Sequence, residues 1–300
     1  MMRARITSVD YNSDWALKER FFHPKAAPGY MTREEVIAFY GTLGLDGVEL
    51  MHSYWDDCPP VRVKQLLADA RLPIAAYIFF VDLVVPTADR RPALDAAFAL
   101  LDRTAELGAP LAMIVAATRP SDAKLDLQRG WLVDGLRTCA EQANAIGVTL
   151  VAENIDFPPL RPLIGRGADC RDLCAEVASP AFRLIYDACA PLFVEEDPLE
   201  TLRVMAPYVV HVHVKNCRPL APGEASPRQL ASVSGRLYTG TALDTGLIDF
   251  RPILAELDRL GYDGRILLEY QGEEDPRIAL QRSVAYLREL LKPLKDPDHD

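Results

Sequence analysis

No CxxC pair occurs among the six cysteines, Cys58, Cys139, Cys170, Cys174, Cys189 and Cys217, which removes the usual zinc and dithiol redox motifs and leaves buried free thiols as the reading. No apolar run is long enough to span a bilayer, and the opening Met-Met-Arg-Ala-Arg-Ile lacks the apolar core of a signal peptide. The expected setting is therefore a reducing cytoplasm, with no membrane partner. Positive charge is also in deficit: 33 Lys and Arg face 43 Asp and Glu, for a formal net charge of -10. That balance lacks the electrostatic footprint of a nucleic-acid partner and points to small ligands.

What is present is ordinary globular material. With 49% hydrophobic and 25% charged residues over 300 positions, the chain can bury a large core, and one domain over residues 1–300 is expected. A helical stretch ending in an apolar residue plus glycine, followed by a short apolar strand, recurs at Leu43-Gly44, Leu107-Gly108, Ile146-Gly147 and Leu260-Gly261. Weaker signals complete strands near 5–9, 47–51, 74–80, 111–116, 148–153, 183–187, 209–214 and 265–269. Helices are expected near 33–43, 60–70, 92–107, 128–146, 169–178, 198–205, 250–260 and 276–291, the first opened by the capping box Thr32-x-x-Glu35.

Strict alternation of eight strands and helices predicts the α/β class and a single (β/α)8 TIM barrel. A doubly wound sheet shares that alternation, but it usually has a glycine-rich phosphate loop after its first strand. Here Ile6-Thr7-Ser8-Val9-Asp10 runs instead into Tyr11-Asn12-Ser13-Asp14-Trp15. Residues 215–247, rich in Pro and Gly after strand seven, read as a long loop over the catalytic face, a lid or a recognition element.

Barrel strands alternate inward and outward side chains, and their C-terminal ends line the mouth. In Thr149-Leu150-Val151-Ala152-Glu153 the inward phase ends at Glu153. The same phase ends at Asp187 in strand six and at Glu269 in strand eight, while His211 and His213 share one face of strand seven. Three carboxylates in a low-dielectric cavity repel one another unless a cation compensates. One divalent ion on Glu153, Asp187, His213 and Glu269 is the simplest compensation. Three oxygens and one imidazole suit Mn²⁺ first, with Mg²⁺, Co²⁺ and Zn²⁺ as alternatives. His211 lies one inward layer deeper, as a core histidine or a substrate contact.

His52 and Trp55, just past strand two, are expected at the same mouth as substrate-binding residues, with surface or loop packing as the competing reading. Phe21, Phe22, Tyr54 and Phe80 are candidates for an apolar wall against a ring substrate.

The sequence resembles the xylose-isomerase-like barrels of the sugar phosphate isomerase/epimerase group. The resemblance spans nearly the whole chain. It rests on Gly47-Val48-Glu49-Leu50, Val151-Ala152-Glu153-Asn154, Tyr186-Asp187, His211-Val212-His213-Val214-Lys215-Asn216, and Leu268-Glu269-Tyr270-Gln271-Gly272 with Asp275-Pro276. It implies the same four metal ligands, with Glu153 and Glu269 as a catalytic acid/base pair. The implied activity is a metal-dependent isomerase or epimerase acting on a sugar or hydroxyketone by proton abstraction next to a carbonyl, through a metal-stabilised enediolate. The runner-up is a lyase of the same family: a keto-inositol or dehydroshikimate-type dehydratase, or an enzyme that eliminates an aglycone from a 3-keto sugar.

Two positions depart from the ketose epimerases of the group. Ala190 stands where they carry a histidine, and Arg218, a substrate-binding candidate, matches their arginine with a one-residue offset. The retained His213-x-Lys215-Asn216 is similar to members that act on keto-polyols, which places Lys215 against a substrate oxygen. The implied partners are a small carbohydrate or keto-polyol, together with a homo-oligomeric or accessory subunit. Apurinic endonucleases use a related barrel with several zinc ions, but five histidines, two of them His23 and His299 away from the strand ends, are too few for that reading.

Overall fold

Ile74–Phe80 and Leu111–Val115 carry no charged residue in either phase, as strands covered by helices on one side and barrel interior on the other require. In the computed structural model, which describes residues 5–9, 31–117, 121–155, 158 and 160–292, these are two of eleven strands. They are β1 (Arg5–Val9), β2 (Val48–Met51), β3 (Ile74–Phe80), β4 (Leu111–Val115), β5 (Thr149–Glu153), β6 (Phe182–Asp187), β7 (Val209–Val214), β8 (Asn216–Pro219), β9 (Leu230–Ala231), β10 (Leu237–Thr241) and β11 (Arg265–Leu268). Eight of them close into a parallel barrel in the order β1-β11-β7-β6-β5-β4-β3-β2. The expected strands fall on these spans with shifts of one residue at most.

Helices wrap the barrel: α1 (Arg33–Thr42), α2 (His52–Trp55), α3 (Pro60–Ala70), α4 (Arg91–Leu107), α5 (Leu125–Ala145), α6 (Arg161–Ile164), α7 (Gly167–Val177), α8 (Ala190–Phe193), α9 (Pro198–Met205), α10 (Phe250–Arg259) and α11 (Pro276–Leu290). Both halves of the Thr32–Glu35 capping box form at the start of α1. The glycine after α5, Gly147, takes φ 74°, the left-handed turn that returns the chain to β5. The single-turn helices α2, α6 and α8 were not expected, because four residues are too few to show a helical period. No helix among the described residues is long and apolar enough to cross a membrane.

The stretch after β7 differs from the expected loop. It folds as a three-stranded antiparallel sheet in the order β8-β10-β9, closed by a short 3-10 turn at Leu243–Thr245. Gly240 of β10 pairs with Gly272 in the segment after β11. A Cβ at Gly240 would meet the Gln271 backbone at 2.5 Å, so the approach needs glycine. Alternation over so few residues, broken by Pro and Gly, gave no strand signal.

Candidate metal and active site

The barrel register determines which side chains meet. Ile185 of β6 pairs with His211 of β7 and Asp187 with His213, after a register shift between Leu184 and Ile185. Asp187 and His213 thus share the upper layer, and His211 lies one layer deeper. Glu153 closes β5, and Glu269 follows β11 directly. Ligating atoms of Glu153, Asp187, His213 and Glu269 all lie within 4.8 Å of one another, and all four residues are buried.

Each carboxylate is oriented by its own local structure. Asp187 Oδ1 accepts the backbone N–H of Cys189 at 2.5 Å and of Ala190 at 3.1 Å, while Oδ2 faces Lys215 Nζ at 2.9 Å. The main chain of Asp187 is gripped by Asn154, whose Nδ2 donates to its carbonyl at 3.0 Å and whose Oδ1 accepts its N–H at 2.7 Å. Gln271 Nε2 donates to Glu269 Oε1 at 2.5 Å. Glu269 Oε2 lies 3.7 Å from His213 Nδ1, and Glu153 Oε1 lies 2.6 Å from the same nitrogen.

The donor set fits a divalent ion. Glu153 Oε1, Asp187 Oδ2 and His213 Nδ1 lie beside charged neighbours, yet among the described residues none makes a hydrogen bond of satisfactory geometry. Buried polar atoms without directed partners are costly, and a cation that takes their lone pairs removes the cost. Protons feel the same crowding. Burial pushes the Glu153 carboxyl up to about 7, with the His213 charge opposing and Asp187 and Glu269 adding to the rise. For His213, burial lowers the imidazole, but Glu153 and Glu49 outweigh it and raise the ring well above its ordinary value.

A second group lies below the first. Glu49 of β2, His211 and His213 are all buried, with ligating atoms again within 4.8 Å of one another. Glu49 Oε1 lies 2.5 Å from His211 Nε2 and 3.4 Å from His213 Nε2. Burial would raise this carboxyl, but the two imidazoles hold it at about 2. Burial lowers His211, against the pull of Glu49.

The other expected contacts fall in different places. Lys215 joins the upper group through Asp187, with Glu269 Oε1 at 3.9 Å. His52 sits in α2, its Nδ1 3.0 Å from the hydroxyl of Tyr77. Trp55 is fully buried, with Tyr54 edge-on and the Arg33 guanidinium 5.6 Å from its ring. Arg218, on β8, is largely exposed and forks onto Glu224, with Nη1 to Oε2 at 3.0 Å. Of the proposed apolar wall, Tyr54 is buried and Phe80 is exposed at the end of β3, while Phe21 and Phe22 lie outside the described residues, as do His23 and His299.

Glu49, Asn154 and Gln271 are the site residues without an assigned role in the sequence reading. Glu49 did leave a signal: it is the lone charge in an apolar strand, Val48-Glu49-Leu50-Met51, and needed the same phase reasoning that found the other acids. Asn154 and Gln271 sit beside members of the buried acidic group and act through the backbone or a neighbouring carboxylate, a role that side-chain type alone does not announce.

A family model described as the xylose isomerase-like TIM barrel matches residues 37–290. An inosose dehydratase from Yersinia enterocolitica is 36% identical over 86 residues, which is 28% of this chain and 28% of that protein. A 2-epi-5-epi-valiolone 7-phosphate 2-epimerase from Actinoplanes is 32% identical over 171 residues, 56% of this chain and 58% of its own length. The matched region thus spans under a third of the first relative and just over half of the second. Among solved structures, a 3-keto-D-glucoside 4-epimerase from E. coli superposes with a TM-score of 0.70 at 19% identity, covering 96% of this chain and 100% of that one. At that identity the likeness concerns the fold.

Proposed function

The chain belongs to the xylose isomerase-like TIM-barrel family, and from that membership we propose a divalent-metal-dependent isomerase or epimerase that acts on a sugar or hydroxyketone by removing a proton next to a carbonyl. The observation that carries the reading is the pair Glu153 and Glu269, both buried and both set around His213 Nδ1, at 2.6 and 3.7 Å. Two carboxylates beside one ion site can take a proton from a carbon and return it. Gln271 holds Glu269, and Lys215 offers an ammonium to a substrate oxygen. When bound, a divalent ion on Glu153, Asp187, His213 and Glu269 would supply electrophilic polarisation of the substrate carbonyl, with Mn²⁺ the first candidate. The β8–β10 sheet, which continues directly from Lys215 and touches the segment after Glu269, is the proposed cover of the mouth.

A lyase of the same family is the second reading, favoured by the likeness to an inosose dehydratase and by the buried ammonium of Lys215, which can protonate a departing oxygen. Both readings share the first proton removal. Incubation of metal-loaded protein with ketoses, keto-cyclitols and 3-keto glycosides in heavy water separates them. Deuterium uptake without change of composition marks isomerisation or epimerisation, and loss of water or aglycone marks elimination. Metal analysis tests the premise of both: the wild type should hold one divalent ion per chain, and Glu153→Gln and Asp187→Asn should lose it. Uptake unaffected by either change would overturn the proposal.

A further inference from the structure

Glu49 has no part in the proton transfer above, yet it is fully buried in the barrel interior, and its Oε2 has no hydrogen bond among the described residues. Its Oε1 faces Nε2 of both strand-seven imidazoles, at 2.5 Å from His211 and 3.4 Å from His213. The two rings stand edge to face, 5.3 Å apart at 88°. His213 is therefore engaged on both edges: Nε2 looks down to Glu49, and Nδ1 looks up to Glu153 and Glu269. A neutral imidazole has one N–H and one lone pair, and the partner of one nitrogen decides what the other offers. Once an ion takes the place of the proton at Nδ1, a carboxylate at Nε2 keeps the remaining proton there and leaves the Nδ1 lone pair to the upper group.

We infer that Glu49 is a positioning residue, braced by His211, which holds His213 in the Nε2–H tautomer and turns Nδ1 toward the ion site. The inference rests on the metal reading proposed above. A second ion among Glu49, His211 and His213 is the competing use of these residues. It would have to part Glu49 from His211 across a 2.5 Å contact and would share His213 with the upper site.

Two measurements on the 300-residue chain decide the matter. In wild-type protein labelled with ¹⁵N at histidine and loaded with Zn²⁺, the His213 ring should show a protonated Nε2 and a coordinated Nδ1. A proton on Nδ1, or coordination through Nε2, would overturn the inference without any variant. In calorimetric titration with Mn²⁺, Glu49→Gln should bind about 10–100-fold more weakly than wild type, as expected when the outer partner of a ligating histidine is lost. His211→Gln should weaken binding less, since it removes only the brace. Wild-type affinity in Glu49→Gln, with binding lost in Glu153→Gln, sinks this inference and leaves the metal reading standing. Binding lost in Glu49→Gln but kept in Glu153→Gln makes Glu49 a ligand and overturns both, and so does a wild type that takes up no Mn²⁺.

Discussion

Glu153 Oε1 and His213 Nδ1 approach to 2.6 Å inside the barrel, with 7% and 2% of their surfaces exposed. Both shifts favour keeping protons in the metal-free protein: Glu153 is pushed up to about 7 and His213 is raised well above its ordinary value. A divalent ion needs the carboxylate and the neutral ring, so binding must expel protons, and affinity should rise with pH. The expected gain is about tenfold per pH unit for each proton displaced, with the Glu153 share fading above about 7. Mn²⁺ calorimetry in two buffers of different ionisation enthalpy measures the protons released. A pH-independent affinity would contradict this account.

The same pair makes a stability prediction of defined sign. Glu153 has a folded value, about 7, above its ordinary 4.5, so its contribution is fully present below 4.5 and is lost as pH rises through about 7. For His213 the contribution is present below 6.5 and is lost as pH rises through its raised folded value. Chelator-treated protein should therefore lose this contribution on going from acid to mildly alkaline pH. Saturation with Mn²⁺ should remove the loss, because the ion replaces the protons. Thermal melts with and without Mn²⁺ across that range provide the check.

The four residues of the upper group were readable as a cluster because Glu153 and Asp187 end β5 and β6, His213 lies one residue from the end of β7 and Glu269 directly follows β11, and strand phase alone sends Glu153, Asp187 and His213 to the same side. Eight strands were readable for a related reason: buried parallel strands are apolar in both phases and lie between cap glycines such as Gly147. The small sheet from Asn216 to Thr241 was not, since its pairing is set by Gly240 approaching the backbone at Gln271 and by contacts far apart in sequence. Trp55 shows a different limit. Its position after β2 points to the mouth, and the chain turns into α2 there with the indole buried. Nearness to a strand end specifies a region of the barrel, while side-chain direction depends on the turn that follows.

Lys215 should separate catalysis from metal binding. Its ammonium lies 2.9 Å from Asp187 Oδ2, so it neutralises a carboxylate that an incoming ion also needs. Lys215→Met should leave Mn²⁺ affinity unchanged or stronger, while kcat falls by about 10²–10³ if the ammonium contacts a charge-bearing substrate oxygen. Equal losses in metal affinity and turnover would assign Lys215 to holding the site together instead.

Asn154 makes a sharper structural case than the candidate ligands themselves. Both its side-chain atoms are spent on the backbone of Asp187, at 3.0 and 2.7 Å. Asn154→Leu strands a buried N–H and a buried C=O, each costing about 1–3 kcal/mol, so the melting temperature of the metal-free protein should fall clearly. Asp187→Asn removes a ligand charge while preserving those backbone bonds, so it should lose metal with a smaller change in metal-free stability. If the two variants melt alike without metal, the Asn154 clamp is not what orders this strand end.

Thiol chemistry tests how closed the barrel is around that same strand end. Cys189 follows Asp187 by two residues, and its Sγ lies 3.5 Å from Cys217 Sγ, both buried. The hydrogen bond with Cys217 and then burial push the Cys189 thiol well up, and burial brings Cys139 and Cys174 to about 12. A thiol reacts as its thiolate, so these groups should resist an aromatic disulfide reagent in the native protein at neutral pH. All six cysteines should react once guanidinium unfolds the chain. Reaction of the native protein at the speed of an exposed thiol would mean that the β7–β8 junction opens far more often than its packing allows, and mapping the labelled residue would show whether Cys217, beside Lys215, is where it opens.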